Sequence, residues 1–267
     1  MRKLKKYDYD LIVISNVILS PREQEGIFLD GAQKEKWNLS NINIIYPFYQ
    51  YGMYDKYDPE NTEYYIPGSS LKGAMFQGKS KILVDDIKIP NNRITLGQLN
   101  KVQYIPKKRQ EESEEEQKQM ILNTYFPNIG VEMLKRDEEP FEGSFYSEED
   151  IRERLLEIHE DSKRRIYKLI QKVEDSIELN SHHKEKSKKS QDCEEILKKS
   201  KNNLKEIIKN RKETEYLFFL GGYKGLLLAR TFEEMPEKSA IYIDENKKLL
   251  GYKELPYGLC KVVLKEE

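Results

Sequence analysis

Residues 64–75 read YYIPGSSLKGAM, a stretch that joins a strand end, a Pro-Gly turn and a helix start. Pro67 ends the strand because it has no backbone N–H, and Gly68 permits conformations that other residues avoid. One of the two serines that follow is expected to cap the helix, whose first N–H groups favour an anion. Lys72 supplies a positive charge beside that anion. The stretch therefore predicts a backbone site for an oxyanion.

A second glycine-rich stretch lies near the C-terminus. Residues 217–226 read LFFLGGYKGL, an apolar strand that leads into a loop with three glycines and one lysine. Glycines let a backbone approach a ligand closely, so we expect Lys72 and Lys224 to contact phosphate groups. Both stretches are therefore candidate sites for phosphate contact. Such contacts carry no base specificity, because every nucleotide has the same phosphate.

Composition excludes several classes of protein. The chain has 267 residues, 37% hydrophobic and 35% charged, and no apolar run approaches the roughly 20 residues of a membrane span. The basic start at Met1–Lys6 leads into alternating tyrosine and aspartate rather than a signal-peptide core. Cys193 and Cys260 are the only cysteines and lie far apart. We therefore expect a cytoplasmic protein in a reducing compartment, with no membrane contact.

The charges are segregated along the chain although the net charge is −1. Residues 1–109 carry 17 basic against 12 acidic side chains, residues 110–160 carry 5 against 16, and residues 161–214 carry 16 against 10. A local basic groove for a polyanion is compatible with this distribution. Ordinary solvated faces with no polyanion partner are the alternative.

The run IPGSSLKG at residues 66–73 resembles the signature of the RAMP proteins, the repeat-associated RNA-binding subunits of type III CRISPR effector complexes. Residues 217–226 look like a shortened form of the family's glycine-rich loop. Residues 126–134 and 140–146 are similar to its central pair of strands. The three matches occur in the family's order. The chain departs from the family in its tightly spaced glycines, and in Phe76, where the family often has an arginine.

The resemblance implies a ferredoxin-like (RRM-like) RAMP core in which both glycine turns grip the guide RNA backbone. The RNA-binding residues that it implies are Gly68, Ser69, Ser70, Lys72, Gly73, Gly221, Gly222, Tyr223, Lys224 and Gly225. The expected partners are guide RNA (crRNA), with target RNA as a further candidate, and other RAMP subunits. Among RAMP subunits the chain looks most like the Csm-type member that caps the 3′ end of the guide. No cofactor, metal or catalytic residue is expected in that role.

Periodicity along the chain predicts an α+β protein with an inserted helical hairpin. Residues 1–146 are expected to form the core, with a long aromatic-rich loop excursion at 22–63 whose rings we expect to pack rather than to stack on bases. Apolar residues at helical spacing predict an antiparallel helical hairpin within 147–214, as a projecting arm, a packed lid or a subunit contact. Residues 215–267 are expected to supply the glycine loop and the last strands.

Single strands are predicted from short β-branched or alternating runs. The predicted strands are Leu11–Leu19, Lys81–Ile89, Gln98–Ile105, Ile129–Leu134, Gly143–Tyr146, Ala240–Ile243, Leu249–Tyr252 and Leu259–Leu264. The glutamate-rich run from Arg109 to Lys118 is expected to be a solvated loop or disordered.

Two catalytic alternatives remain open at this point. Asp30 lies in the loop after the first predicted strand, where RNA-cleaving RAMP backbone subunits carry an aspartate, so it is a candidate for metal-dependent cleavage; turn chemistry is the simpler role. Residues 73–80, GAMFQGKS, satisfy the P-loop pattern with Lys79 as the phosphate lysine, but they follow a helix start and contain bulky residues. The remaining candidates have simpler structural interpretations: His159, His182 and His183 in the hairpin, and Asp85 and Asp86 in a strand.

Overall fold

The computed structural model describes residues 4–21, 25–76, 81–106, 118–181, 186–229, 240–244 and 254–265. The fold is mixed α+β, as predicted, around a curled antiparallel sheet. The helices within these residues are α1 (Gly31–Lys36), α2 (Gly68–Phe76), α3 (Arg152–Ser181) and α4 (Lys188–Lys209). The strands are β1 (Lys5–Val13), β2 (Ile27–Phe28), β3 (Ile44–Tyr46), β4 (Tyr64–Ile66), β5 (Leu83–Val84), β6 (Ile87–Ile89), β7 (Ile94–Gly97), β8 (Leu99–Pro106), β9 (Lys118–Tyr125), β10 (Ile129–Leu134), β11 (Asp137–Ser147), β12 (Glu215–Phe219) and β13 (Leu259–Leu264).

The central sheet is built around β1. Tyr7, Tyr9, Leu11 and Val13 are buried on one face, and the residues between them are exposed or half-buried. This period of two is the pattern of a strand with one covered face. The strand predicted at Leu11–Leu19 is therefore placed too late, because the prediction followed the largely apolar run at 11–19 rather than the alternation that begins before it.

The strand order of the central sheet is β12-β13-β1-β11-β5, and every neighbouring pair is antiparallel. A four-stranded sheet has the order β2-β3-β10-β7, in which β3 and β10 are parallel. The pairs β4-β6 and β8-β9 complete the strands of the described residues. The strands compared with the RAMP central pair, β10 and β11, thus lie in different sheets.

Two hydrophobic cores share helix α3. The first core contains Leu71 and Met75 of α2 together with Leu155 and Ile158 of α3, packed with the buried face of β1. The second core contains the later part of α3, with α4, β9 and the opposite face of β12. Because the helix has 30 residues, about 45 Å of length is available to reach both cores.

Helices α3 and α4 fall within the residues predicted to be helical. Glu174 pairs with Lys205 at 3.1 Å, and Asn180 accepts a hydrogen bond from Ser190 Oγ at 3.0 Å, so the two helices run antiparallel. Asn180 Oδ1 also accepts from the backbone N–H of Met120 on β9, at 3.2 Å. Both helices therefore pack against β9.

Several strand predictions need correction. Residues 81–89 form β5 and β6 rather than one strand, because β5 pairs with β11 while β6 pairs with β4. Strand β9 was not predicted; it begins at the end of a glutamate-rich run. Residues 240–243 make only isolated bridges, through Tyr242. The predicted strands at 98–105, 129–134, 143–146 and 259–264 are confirmed as parts of β8, β10, β11 and β13. The strand at 249–252 and the loop at 109–117 lie outside the described residues.

The predicted excursion at 22–63 contains α1, β2 and β3, and a buried carboxyl group ties it to the fold. Glu132 on β10 accepts hydrogen bonds from Phe48 N at 2.9 Å, Tyr64 Oη at 2.7 Å and Tyr54 Oη at 3.0 Å. Burial raises the pKa of Glu132, and these donors oppose that rise. The tyrosines thus pack and hydrogen-bond here, in agreement with the packing expected of the aromatic residues.

A buried histidine provides a hydrogen-bond acceptor for the strand at the outer edge of the central sheet. Nδ1 of His159 on α3 accepts the backbone N–H of Leu217 on β12 at 3.2 Å. Burial is the main cause that lowers the pKa of His159 to about 4, and the positive charge of Arg211 contributes to this lowering. The imidazole is therefore neutral and acts as an acceptor at neutral pH.

None of the described helices is both long and apolar enough to cross a membrane.

We expect the protein to lose stability as the pH falls from about 6.5 toward about 4, because the unfolded imidazole then binds a proton that the folded one does not. His159→Asn keeps an acceptor that does not titrate, so its free energy of unfolding should fall less over this range. His159→Phe leaves the Leu217 N–H without an acceptor and should cost about 1–3 kcal/mol at neutral pH. Urea unfolding at several pH values measures both effects, and parallel profiles for wild type and His159→Asn would contradict the assignment.

Candidate nucleic-acid interface

Residues of both glycine segments line one cleft of about 1140 Å³. Helix α2 contributes Ser69, Ser70, Gly73 and Ala74 to the lining. The loop after β12 contributes residues 221–226. Two stretches that lie far apart in sequence thus meet at one cleft, although Gly68 is not among its lining residues.

The glycine loop is fixed to the segment that follows β1. Gly222 donates its N–H to the carbonyl of Ile18 at 2.8 Å. Gly221 has a φ of +81°, and a Cβ at this position would lie 2.1 Å from the same carbonyl oxygen. Only glycine therefore allows the two backbones to approach this closely. Ile18, Leu19 and Ser20 line the cleft as a consequence.

The loop backbone has the form of an anion-binding turn. φ is positive at Gly221, Tyr223 and Gly225 (81°, 53° and 82°) and not at the two residues between them. Such alternation can turn successive N–H groups toward one side, as in the concave turns that hold phosphate. Within the described residues, the N–H groups of Tyr223, Lys224 and Gly225 donate to no other protein group. They are available to a ligand.

Lys224 places a positive charge inside this loop. Its Nζ donates a hydrogen bond to the Gly221 carbonyl, and the side chain is half-buried. Burial is the main cause that lowers the pKa of Lys224 to about 8, and nearby Arg165 contributes to this lowering. In the described part of the chain, no carboxylate forms an ion pair with Lys224. An anion in the cleft would therefore stabilise the charged form of this lysine.

The start of α2 differs from the sequence prediction. Neither Ser69 nor Ser70 caps the helix; Asp86 Oδ1 accepts the Gly68 N–H at 2.6 Å. A Cβ on Gly68 would lie 2.0 Å from the Val84 carbonyl oxygen, so this glycine permits α2 to approach β5. The amide of Gly68 is thus already occupied by a carboxylate, and its role in the fold is packing.

Gly73 and Gly222 differ from Gly68 and Gly221, because the fold does not require a glycine at either of these two positions. Both are exposed, and neither has a positive φ. A Cβ on Gly73 would meet nothing within 4 Å, and one on Gly222 would have its nearest contact at 4.0 Å. A glycine inside a helix costs roughly 0.5–1 kcal/mol relative to alanine. The open space beside each glycine lies in the cleft.

Lys72 is less well placed than Lys224. It is half-buried on α2 but is not among the cleft-lining residues, because it lies off the helix face that presents Ser69, Ser70 and Gly73. The geometry therefore favours Lys224 as the principal phosphate lysine.

The catalytic candidates have structural roles where they are described. Asp30 caps α1: its Oδ1 accepts the Gln33 N–H at 2.8 Å, and Gln33 Oε1 reaches back to the Asp30 N–H. Asp85 and Asp86 lie between β5 and β6 rather than within a strand. His159 is the buried acceptor described above, and His182 and His183 lie outside the described residues. Among the residues described, no cluster of three or more His, Cys, Asp or Glu side chains could hold a metal ion.

The P-loop candidate lacks its expected loop. Residues 73–76 are helical and belong to α2, whereas a P-loop needs an extended glycine loop after a strand. Lys79 and Ser80 lie outside the described residues.

The cysteines are also structural, since Cys193 and Cys260 are both buried free thiols. Burial raises the pKa of Cys260.

Sequence reasoning missed part of the cleft. Ile18–Ser20, Tyr49, Ala240 and Tyr242 line it without belonging to either glycine stretch. Nothing in the sequence indicates that Tyr49 and Tyr242 meet at one site. No protein-family model matches the chain, and a search of curated proteins finds no match.

The two kinds of glycine should respond oppositely to alanine. We expect Gly73→Ala to raise the free energy of unfolding by roughly 0.5–1 kcal/mol, because it removes helix-interior glycine without a clash. Gly221→Ala should lower it by more than about 1 kcal/mol, because its Cβ collides with the Ile18 carbonyl. Chemical denaturation of both variants measures the difference. Equal effects would contradict the division between structural and unconstrained glycines.

Proposed function

We propose that the chain is a non-catalytic RNA-binding subunit of the RAMP type that holds the backbone of a guide RNA in the cleft between α2 and the glycine loop. The observation that carries this proposal is that Ser69, Ser70 and Gly73 of α2 line the same cleft as residues 221–225 of the glycine loop. A single strand can lie between the two walls, with phosphate oxygens on the unengaged amides of the loop and near Lys224.

The topology supports the finer fold assignment. With the edge strand β12 set aside, the sheet order is β13-β1-β11-β5, and the chain visits β1, α2, β5, β11, α3 and β13 in turn. This order matches the βαββαβ arrangement, with strand order 4-1-3-2, that we propose for a ferredoxin-like core. Since the start of α3 packs on β1, we place the inserted hairpin in the later part of α3 and in α4.

We assign the chain to the Csm-type position that caps the 3′ end of the guide, beside the backbone subunits. The support is the helical insertion, which a subunit repeated along a filament would accommodate with difficulty. Asp30 already caps a helix, which favours the non-catalytic role over that of a metal-dependent RNA-cleaving backbone subunit. The helical conformation of residues 73–76 likewise disfavours the nucleotide-binding alternative built on Lys79. A Csm-type subunit acts in the cytoplasm.

Salt-dependent RNA binding tests the proposed cleft. Lys224→Gln removes the charge but keeps a donor for the Gly221 carbonyl, so we expect weaker binding to single-stranded RNA and a salt slope shallower by about one. Lys72→Gln should weaken binding less and change the salt slope by less than one, because its side chain lies on α2 beside the cleft-lining face rather than on it. Binding is measured by fluorescence anisotropy of a labelled strand at several salt concentrations.

Lys168→Gln is the matched control for this series, because Lys168 is exposed on α3 and does not line the cleft. It should leave both affinity and slope unchanged. If wild type and Lys224→Gln bind RNA equally with equal slopes, the cleft is not the RNA site. If wild type does not bind RNA at all, the proposed function itself is wrong.

A pair of substitutions at Asp30 tests the cleavage alternative. Asp30→Ser removes the carboxylate but keeps a good helix cap, whereas Asp30→Ala removes both. We expect magnesium-dependent target cleavage by the assembled effector complex to be unchanged in Asp30→Ser. Loss of cleavage in both variants, with the complex intact, would assign catalysis to this aspartate.

A further inference from the structure

Four aromatic side chains form a continuous series that begins inside the cleft. Tyr223 and Tyr242 both line it, and their ring centroids are 6.4 Å apart. Tyr125 meets Tyr242 edge-on at 6.1 Å, and Phe126 lies 4.0 Å from Tyr125. We refer to Tyr223, Tyr242, Tyr125 and Phe126 as the aromatic wall. It leads from the glycine loop to the turn between β9 and β10.

The two ends of the wall are exposed and conformationally costly. Tyr223 is 41% exposed and Phe126 is 51% exposed. Each has a positive φ, 53° and 56°, which is uncommon for a bulky side chain and costs on the order of 1–3 kcal/mol. An exposed ring in such a conformation adds little to the core. Sites of this kind are concentrated where proteins bind ligands.

A lysine adds positive charge to the middle of the wall. Lys101 Nζ lies 4.8 Å from the ring centroid of Tyr125 and 5.8 Å from that of Tyr242. The cation is therefore held over the rings that follow the glycine loop. Exposed rings beside a backbone-binding groove with cations are the arrangement that single-stranded nucleic acids use, because every base has a face that can stack.

We propose that the aromatic wall stacks the bases of the same RNA strand whose phosphates lie at the glycine loop. This inference rests on the proposed function and extends it from the backbone to the bases. The two parts of the site contact different parts of each nucleotide. The loop amides and Lys224 bind the charged phosphates, whereas the rings stack on the apolar faces of the bases. Because stacking tolerates any base, the wall strengthens binding to single strands without selecting a sequence.

A comparison of RNA with an abasic strand of the same length tests the wall, because the abasic strand keeps the phosphates and lacks the bases. We expect the full chain to bind RNA about a hundredfold more tightly than the abasic strand, about tenfold for each of the two exposed rings. Tyr223→Leu and Phe126→Leu should each lower RNA affinity by roughly tenfold and leave binding of the abasic strand unchanged. Tyr223→Phe, which keeps the ring, should behave as wild type. Tyr167→Leu is the matched control, since this exposed ring on α3 lies outside the wall.

The outcomes separate this inference from the proposed function. Equal binding of RNA and the abasic strand by wild type would overturn stacking and leave the backbone site standing. An equal loss for both strands in Tyr223→Leu would also overturn stacking, because the ring would then act only through loop shape. Failure of wild type to bind either strand would overturn both proposals. Quenching of a fluorescent base analogue by wild type and by Tyr223→Phe, but not by Tyr223→Leu, would support stacking directly.

Discussion

The contact between the Gly221–Gly222 backbone and the Ile18 carbonyl is the constraint on which the cleft depends. One hydrogen bond of 2.8 Å and the absence of a side chain at Gly221 hold the glycine loop against the segment after β1. Since β1 is also in the middle of the central sheet, the loop takes its position from the most buried part of the fold. Helix α2, which also lines the cleft, is held by an equally close approach of Gly68 to the carbonyl of Val84. Two backbone contacts that exclude Cβ atoms thus position the two segments that line the cleft.

The glycines of the two motifs divide into two groups with different physical roles. Gly68 and Gly221 are required by the packing of the chain against itself, whereas Gly73 and Gly222 face open space in the cleft. A sequence motif presents all four as equivalent. The structure separates those that shape the walls from those whose missing side chains leave room for a ligand, and only the second group bears directly on binding.

Sequence reasoning identified the fold class, both long helices and the two segments that form the cleft, because each depends on a local pattern: helical spacing, strand alternation or Pro-Gly turn chemistry. It misplaced β1, since an apolar run at Leu11–Leu19 obscured the alternation of Tyr7 and Tyr9. It assigned the cap of α2 to a local serine, whereas the acceptor is Asp86, a residue 18 positions away. The cleft residues Tyr49 and Tyr242 carry no local signal, because their proximity is a product of tertiary structure. Local patterns can be predicted from a single sequence, whereas contacts between residues far apart in the chain cannot.

Helix α3 contributes to both hydrophobic cores, which has a mechanical consequence. Its first turns pack beneath the sheet with α2, and its later turns pack with α4 and β9, so a displacement at one end is transmitted along a rigid rod to the other. Helix α3 contacts α2, which lines the cleft, and it also contacts β12, the strand that leads into the glycine loop. Filling the cleft would therefore slow amide exchange with solvent far from the ligand, in the paired region of α3 and α4.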